Sequence, residues 1–252
     1  MVNATQLAQI LADDDEDFYP SSDGMPMGES DIHIEVLLEC KETLNSHFAD
    51  RPDVYVAANN FLYWERRRRD AVVSPDCYVV FGVEKRLRNS YQVWEEGGRL
   101  PSVVFEITSK HTRLQDEGEK KRIYAMLGVS EYFLFDPTGD YLKPNLQGFR
   151  LQNGAYASIP LQNGRLICEQ LQLELMAQGQ RLRFYAPQQE VWLLNYQEQK
   201  DRADTEAKAR QDVERQLTEE IGRADAEAKA RTEAEAEIAR LKAELEALRR
   251  KP

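Results

Sequence analysis

Residues 74–137 organise the chain, reading SPDCYVVFG from Ser74, PSVVFEITSK from Pro101 and DEGEKKRIYAMLGVSEYFLFDP from Asp116. Asp76 follows Pro75 at the head of one apolar run, and Glu106 ends the run Val103, Val104, Phe105. Short apolar runs bounded by Gly and Pro read as buried strands. Beyond them Asp116, Lys120 and Tyr124 recur every four residues, one stripe of a helix whose adjacent core face is Ile123, Met126 and Leu127. The run Glu131–Phe135, ended by Asp136-Pro137, reads as a second buried strand. Helix followed by buried strand is the alternation of an α/β core.

A strand presents a carboxylate more rigidly than a loop does, because its backbone is held by its neighbours. Asp76 and Glu106 are far apart in sequence, so only a fold that pairs their strands joins them. Paired strands lie about 5 Å apart, and two carboxylates at that spacing repel unless a cation or a proton sits between them. Mg²⁺ suits such a place, since it takes few protein carboxylates and completes its shell with water and phosphate oxygens. That reading is an enzyme of phosphate esters. A second reading stays open: Asp76 starts a turn after Pro75, and Glu106 is a strand-edge acid paired with Arg or Lys. Lys120 divides in the same way. It points back at the acids and steadies charge on a phosphoryl group, or it forms a surface pair with Asp116 worth about 0.2–0.5 kcal/mol.

The residues Pro75-Asp76, Glu106-Ile107-Thr108-Ser109, then Asp116, Lys120 and Tyr124, then Gly128-Val129-Ser130-Glu131-Tyr132 and Asp136-Pro137 occur in that order. In this the chain resembles, over roughly residues 22–186, the restriction-endonuclease-like family expanded in cyanobacteria, part of the PD-(D/E)XK nuclease superfamily. The resemblance implies a mixed sheet flanked by helices and Mg²⁺-dependent cutting of DNA phosphodiester bonds, with Mn²⁺ as a substitute ion. It makes Asp76 and Glu106 metal ligands, adds Glu29 as a further acid, and makes Lys120 the catalytic lysine. One departure stands out: the superfamily's lysine usually follows the acid by two residues, where this chain has Thr108. Lys110 is the rival, with the strand parity of Glu106 but about 13 Å further along. Lys121 points elsewhere, about 100° round the helix.

The chain of 252 residues carries a formal charge of −11, which opposes simple nucleic-acid binding. Much of the acid lies in Asp13–Asp17 and in the Glu-rich tail, whereas Arg66–Arg69, Lys85, Arg86, Arg88, Lys110, His111 and Arg113 lie around the proposed site. Arg66–Arg69 reads equally as a solvated hairpin tip, and Tyr91 with Trp94 as a substrate contact or as a lid anchored on the core. No run suits a signal peptide or a membrane helix, so a cytoplasmic protein is expected. Cys40, Cys77 and Cys168 lack ligand spacing and read as reduced, buried side chains.

Residues 1–21 form an acidic lead-in, 22–194 the α/β domain and 195–252 a charged helical tail. From Asp31 the positions Ile34, Leu37, Leu38, Leu44 and Phe48 follow helical spacing, capped by Ser30 or Asp31. His33 reads as structural or substrate-side, and Glu35 as a capping or surface acid. Asn153-Gly154 and Asn163-Gly164 mark hairpins in a small antiparallel addition to the sheet. In the tail, Arg202–Arg210 returns as Arg223–Arg231, and Ile238, Leu241, Leu245 and Leu248 alternate spacings of three and four. That is a coiled-coil seam near the end of a long solvated helix, and a homodimer is expected from it; a monomeric helix held by i,i+4 charge pairs is the alternative. Two functions follow: a Mg²⁺-dependent DNA endonuclease, or a catalytically inactive nuclease-fold module that recruits partners through the tail.

Overall fold

A computed structural model describes residues 19–21 and 30–249, with the side chains of the last helix described through residue 245. The acidic run Asp13–Asp17, Glu29 and the side chain of Leu248 lie outside the described residues. The chain divides into two compact units, Met1–Tyr196 and Gln197–Pro252.

In the first unit, helix α1 (Asp31–His47) precedes β1 (Val54–Ala58), β2 (Leu62–Tyr63), β3 (Val72–Val73), β4 (Cys77–Phe81), β5 (Tyr91–Gln92) and β6 (Val103–Ile107). A π-helical turn, Gln115–Lys120, runs into α2 (Lys121–Leu127) and is followed by β7 (Glu131–Phe135), β8 (Leu146–Gln152) and β9 (Ala155–Ser158). Then come β10 (Leu166–Cys168), β11 (Leu173–Gln178), β12 (Arg181–Ala186) and β13 (Val191–Trp192). The main sheet has the order β1-β4-β6-β7-β8-β9. Its β6 and β7 run parallel, as strands joined through a helix can; the other neighbours are antiparallel. This is the mixed α/β sheet that the sequence implies.

Both faces of the sheet are covered, which is why its central strands are apolar throughout. Val103, Phe105 and Ile107 face a core shared with Leu37, Cys40 and Leu44 of α1 and with Leu175 and Phe184. Val104 faces the opposite core, with Tyr78, Tyr124, Tyr132 and Leu134. Phe105 stacks on Phe133 with ring centroids 5.4 Å apart. Gly148, opposite Phe133 on β8, is required by this packing: a Cβ there would lie 2.8 Å from the Phe133 ring.

Three expectations change. The buried stripe of α1 is His33, Val36, Leu37, Cys40 and Leu44, while Ile34 and Leu38 are exposed; the 3.6-residue period lets one stripe face the sheet, and these two lie beside it. Met126 is likewise exposed, with Tyr124 as the buried side chain of α2. The hairpin region is more than an addition to the sheet. Asn153 and Gly154, both at positive φ, turn β8 into β9 within the main sheet, but β10 to β13 form a separate antiparallel sheet. Its alternate residues Leu173, Leu175, Leu182 and Phe184 join the α1-side core. The buried Glu131 links the two sheets, accepting from the Arg150 guanidinium at 2.8 Å and from the Gln170 amide at 2.9 Å.

Arg66–Arg69 form the exposed tip between β2 and β3. Residues 85–100 contain β5, which adds to β2 in parallel, with Tyr91 buried in the core and Trp94 against Tyr19. Its basic residues are engaged within the fold: Arg88 pairs with Glu96 at 2.7 Å and lies over the Tyr55 ring, and Lys85 donates to the Phe48 carbonyl beyond the end of α1. Cys40, Cys77 and Cys168 are free and buried.

The second unit is the body of helix α3 (Tyr196–Arg249). Among the described residues no helix is long and apolar enough to cross a membrane.

Candidate active site

Antiparallel pairing sets Cys77 of β4 against Phe105 of β6. One rung further, the same register sets Asp76 against Glu106. The backbone there is closed by a side chain: the Ile107 amide donates to Asp76 Oδ2 at 2.7 Å. Asp76 thus holds the end of the strand that carries Glu106.

Glu106 is fully buried and both its oxygens have donors. Lys120 Nζ lies 2.7 Å from Oε2, and the Tyr124 hydroxyl donates to Oε1 at 2.6 Å. Lys120 also stands 3.4 Å from Asp116 Oδ1. The stripe of Asp116, Lys120 and Tyr124 is therefore the face turned toward the strand acids. Its first part is a π-turn, a form that recurs at functional sites, and Tyr132 of β7 donates to the Asp116 carbonyl at 2.9 Å. Lys121 sits over the Phe149 ring, 3.2 Å from its centroid, turned away from the acids.

Charge at the site is unbalanced. Asp76, Glu106 and Asp116 surround the single ammonium of Lys120. Burial alone would lower Lys120, but Glu106, Asp76 and Asp116 together hold it above the ordinary lysine range. Burial drives Glu106 well above the usual carboxylate range, with Lys120 pulling against it. Asp116 moves the same way for the same reason. Asp76 goes down: burial would raise it, but contacts with His33, the Lys120 charge and the Ile107 amide outweigh that. His33 Nε2 is 3.7 Å from Asp76 Oδ1. The buried Asp116 carboxylate has the Lys120 ammonium as its ion-pair partner at 3.4 Å, and Thr108 Oγ1 is buried with no hydrogen-bond partner among the described residues. Three buried carboxyl groups thus share the Lys120 ammonium, and titratable groups shifted in this way cluster at functional sites.

Among the described residues no three His, Cys, Asp or Glu side chains group closely enough to hold a metal by themselves. Mg²⁺ asks for less, one or two carboxylates with the rest of its shell from water and substrate. A carboxylate has about four lone-pair sites, so Glu106 retains acceptor capacity beside Lys120 and Tyr124. With Asp76 opposite, and Asp116 3.4 Å from the Lys120 ammonium, the oxygen donors are of the kind a hard divalent cation takes.

A cavity of about 370 Å³ opens beside Asp76, lined among others by Ser30, His33, Thr108, Lys110 and His111. Lys110 does not prolong β6, which ends at Ile107; it lies exposed at this cavity while Lys120 contacts Glu106. Arg113 is engaged with Glu117 at 2.9 Å. Asp136 is the other buried acid here. Its oxygens accept from the amides of Thr138, Gly139, Tyr141 and Leu142, and the loop it organises contributes Pro137, Thr138 and Tyr141 to the cavity.

Residues 23–182 match the Uma2 family, whose description is "Putative restriction endonuclease". The chain belongs to the Uma2 family. The matched span contains Asp76, Glu106, Asp116, Lys120 and Tyr124 and excludes α3. Among solved structures, a crystal structure described as a "putative nuclease belonging to DUF820 from Anabaena variabilis" is similar at 15% identity and a TM-score of 0.43, covering 60% of this chain and 81% of that one. No curated protein matches.

In this Uma2 chain the structure brings Glu106 and Lys120 into contact with Asp76 close by, while Lys110 lines the cavity together with Asp76. Glu29 falls outside the described residues, and Glu35 is exposed. The contact of His33 with Asp76 carried no signal in the sequence, since α1 lies far from β4 along the chain. The four-residue spacing put Asp116, Lys120 and Tyr124 on one stripe, but it did not name Glu106 as the acceptor of the Tyr124 hydroxyl.

Proposed function

We propose that the chain is a metal-dependent endonuclease that hydrolyses phosphodiester bonds of DNA, with Asp76 and Glu106 holding Mg²⁺. The observation that carries this reading is the convergence of Asp76, at the head of β4, and Glu106 of β6 with Lys120, which also lies 3.4 Å from Asp116. A nucleic-acid substrate agrees with the family's description. The bound ion would supply Lewis acidity toward a phosphate oxygen and lower the pKa of a nearby water.

The protein's own groups do the rest. Asp76, held ionised at neutral pH by His33, Lys120 and the Ile107 amide, is a ready ligand. Lys120, held above the ordinary lysine range, stays charged and opposes negative charge developing on the phosphoryl group; it does not act as a base. Tyr124 fixes the Glu106 carboxylate, and Lys110 and His111 offer cationic or polar contacts where the cavity opens. Mn²⁺ should replace Mg²⁺ at such oxygen ligands.

A second reading is favoured by Thr108 at the superfamily's usual lysine position and by the two internal donors on Glu106: an inactive nuclease fold with an internal salt bridge. Full-length protein with supercoiled plasmid and Mg²⁺ separates them. The endonuclease reading requires cutting by the wild type that chelator and Asp76→Asn both abolish. Equal cutting by wild type and Asp76→Asn removes the site, and no cutting under any metal favours the inactive module.

A further inference from the structure

Helix α3 carries two groups of exposed apolar side chains: Val213, Leu217 and Ile221, then Ile238, Leu241 and Leu245, each 51–64% exposed. We propose that this helix is the docking surface for a second copy of the same chain, running antiparallel and centred on residue 229.

Five of the six share one heptad register, with Ile221 flanking the seam. Leu217, Ile238 and Leu245 are separated by multiples of seven, and so are Val213 and Leu241, so all five fall on the two seam positions of a coiled coil. Between them the seam continues through Glu220, Ala224, Glu227, Arg231 and Ala234. In a parallel, in-register pair each seam residue meets its own copy. Glu220 and Glu227 would then face like charge, as would Arg231.

Reversing the second helix changes every one of these layers. With residue 229 at the centre, Val213 faces Leu245 of the second copy, Leu217 faces Leu241, Ala224 faces Ala234, and Glu227 faces Arg231. Each apolar group finds the other, and the two charged seam residues find opposite charge. The flanks agree: Glu214 comes beside Lys242 and Arg223 beside Glu237, while Ala228 and Ala230 each meet their own copy at the close approach near the centre. One layer is mixed, Glu220 against Ile238, where the methylene stem of the glutamate can lie on the isoleucine with its carboxylate in water. Arg231 now pairs with Glu235 of its own helix at 3.0 Å. Both groups are exposed, and pairs of that kind exchange partners at little cost.

The surface differs from a seam confined to the last turns: it engages the helix from 213 to 245. Residue 229 lies within the repeat Arg223–Arg231, which supplies Ala228 and Ala230 where the helices come closest.

The test uses the full-length chain and two cysteine variants, Ala224→Cys and Ala234→Cys; the native cysteines are buried and do not interfere. Light scattering should give a dimer. Under oxidation, a mixture of the two variants should form a disulfide-linked heterodimer, and neither variant alone should link to itself. Arg231→Glu should weaken dimerisation about tenfold or more by setting it against Glu227, and adding Glu227→Arg should restore it. A monomer, self-linking of either variant as a parallel pair requires, no link in the mixture, or no rescue by the charge exchange overturns the proposal. None of these readouts depends on nuclease activity.

Discussion

Lys120 Nζ lies 2.7 Å from Glu106 Oε2, and Tyr124, one turn further along, donates to the other oxygen of the same carboxylate at 2.6 Å. Residues four apart on a helix share a face, so one stripe serves one acid. Asp116 sits at the start of that stripe, 3.4 Å from the same ammonium.

Lysine ranking follows from this geometry. Lys120→Ala removes the cation beside the strand acids and should lower cleavage about 10²–10³-fold, the usual loss for one preorganised electrostatic group. Lys110→Ala removes an exposed cation at the cavity and should reduce cleavage only a few-fold, chiefly at low salt. Initial rates on one labelled duplex measure both. The reverse ranking would move the lysine to 110.

Tyr124→Phe should destabilise the fold by about 1–3 kcal/mol, because it strips a donor from a buried carboxylate oxygen. Urea unfolding followed by circular dichroism reads the change. A variant as stable as the wild type would mean that Glu106 Oε1 has another donor.

The pH dependence of stability should differ in sign between the two strand acids. Burial raises Glu106, against the pull of Lys120, so the folded chain binds that proton more tightly than the unfolded chain does. Its contribution is full below the ordinary glutamate pKa of about 4.3 and is lost as pH rises through the raised value. Asp76 is lowered despite its burial; its contribution is present above the ordinary aspartate pKa of about 3.9 and is lost as pH falls through the lowered value. In chelator, Glu106→Gln should therefore melt above the wild type at neutral pH, and Asp76→Asn below it. Melting shifts of the same sign would contradict this assignment.

Gly148→Ala tests the packing that supports the site. The added Cβ meets the Phe133 ring at 2.8 Å, and overpacking of this kind costs about 1–3 kcal/mol. The melting temperature should fall; an unchanged one would show that β7 and β8 can separate freely.

The strands bearing Asp76 and Glu106 were legible because burial on both faces makes them apolar throughout, and the stripe from Asp116 to Tyr124 because four-residue spacing has one geometric meaning. Less legible was α1, where Ile34 and Leu38 are apolar yet exposed, so hydrophobicity alone misplaced its core face. The separate sheet of β10 to β13 was hidden for a related reason: alternating residues such as Leu173 and Leu175 show that a face is buried, but not against what. His33 beside Asp76 is a contact between distant segments that leaves no local pattern.

The central claim is that Asp76 and Glu106 share a divalent cation, and calorimetric titration of full-length protein with Mg²⁺ or Mn²⁺ tests it without reference to any substrate. Binding to the wild type should be lost or weakened at least ~100-fold in both Asp76→Asn and Glu106→Gln, each of which removes a ligand charge. Unchanged binding in either variant, or none in the wild type, would contradict it.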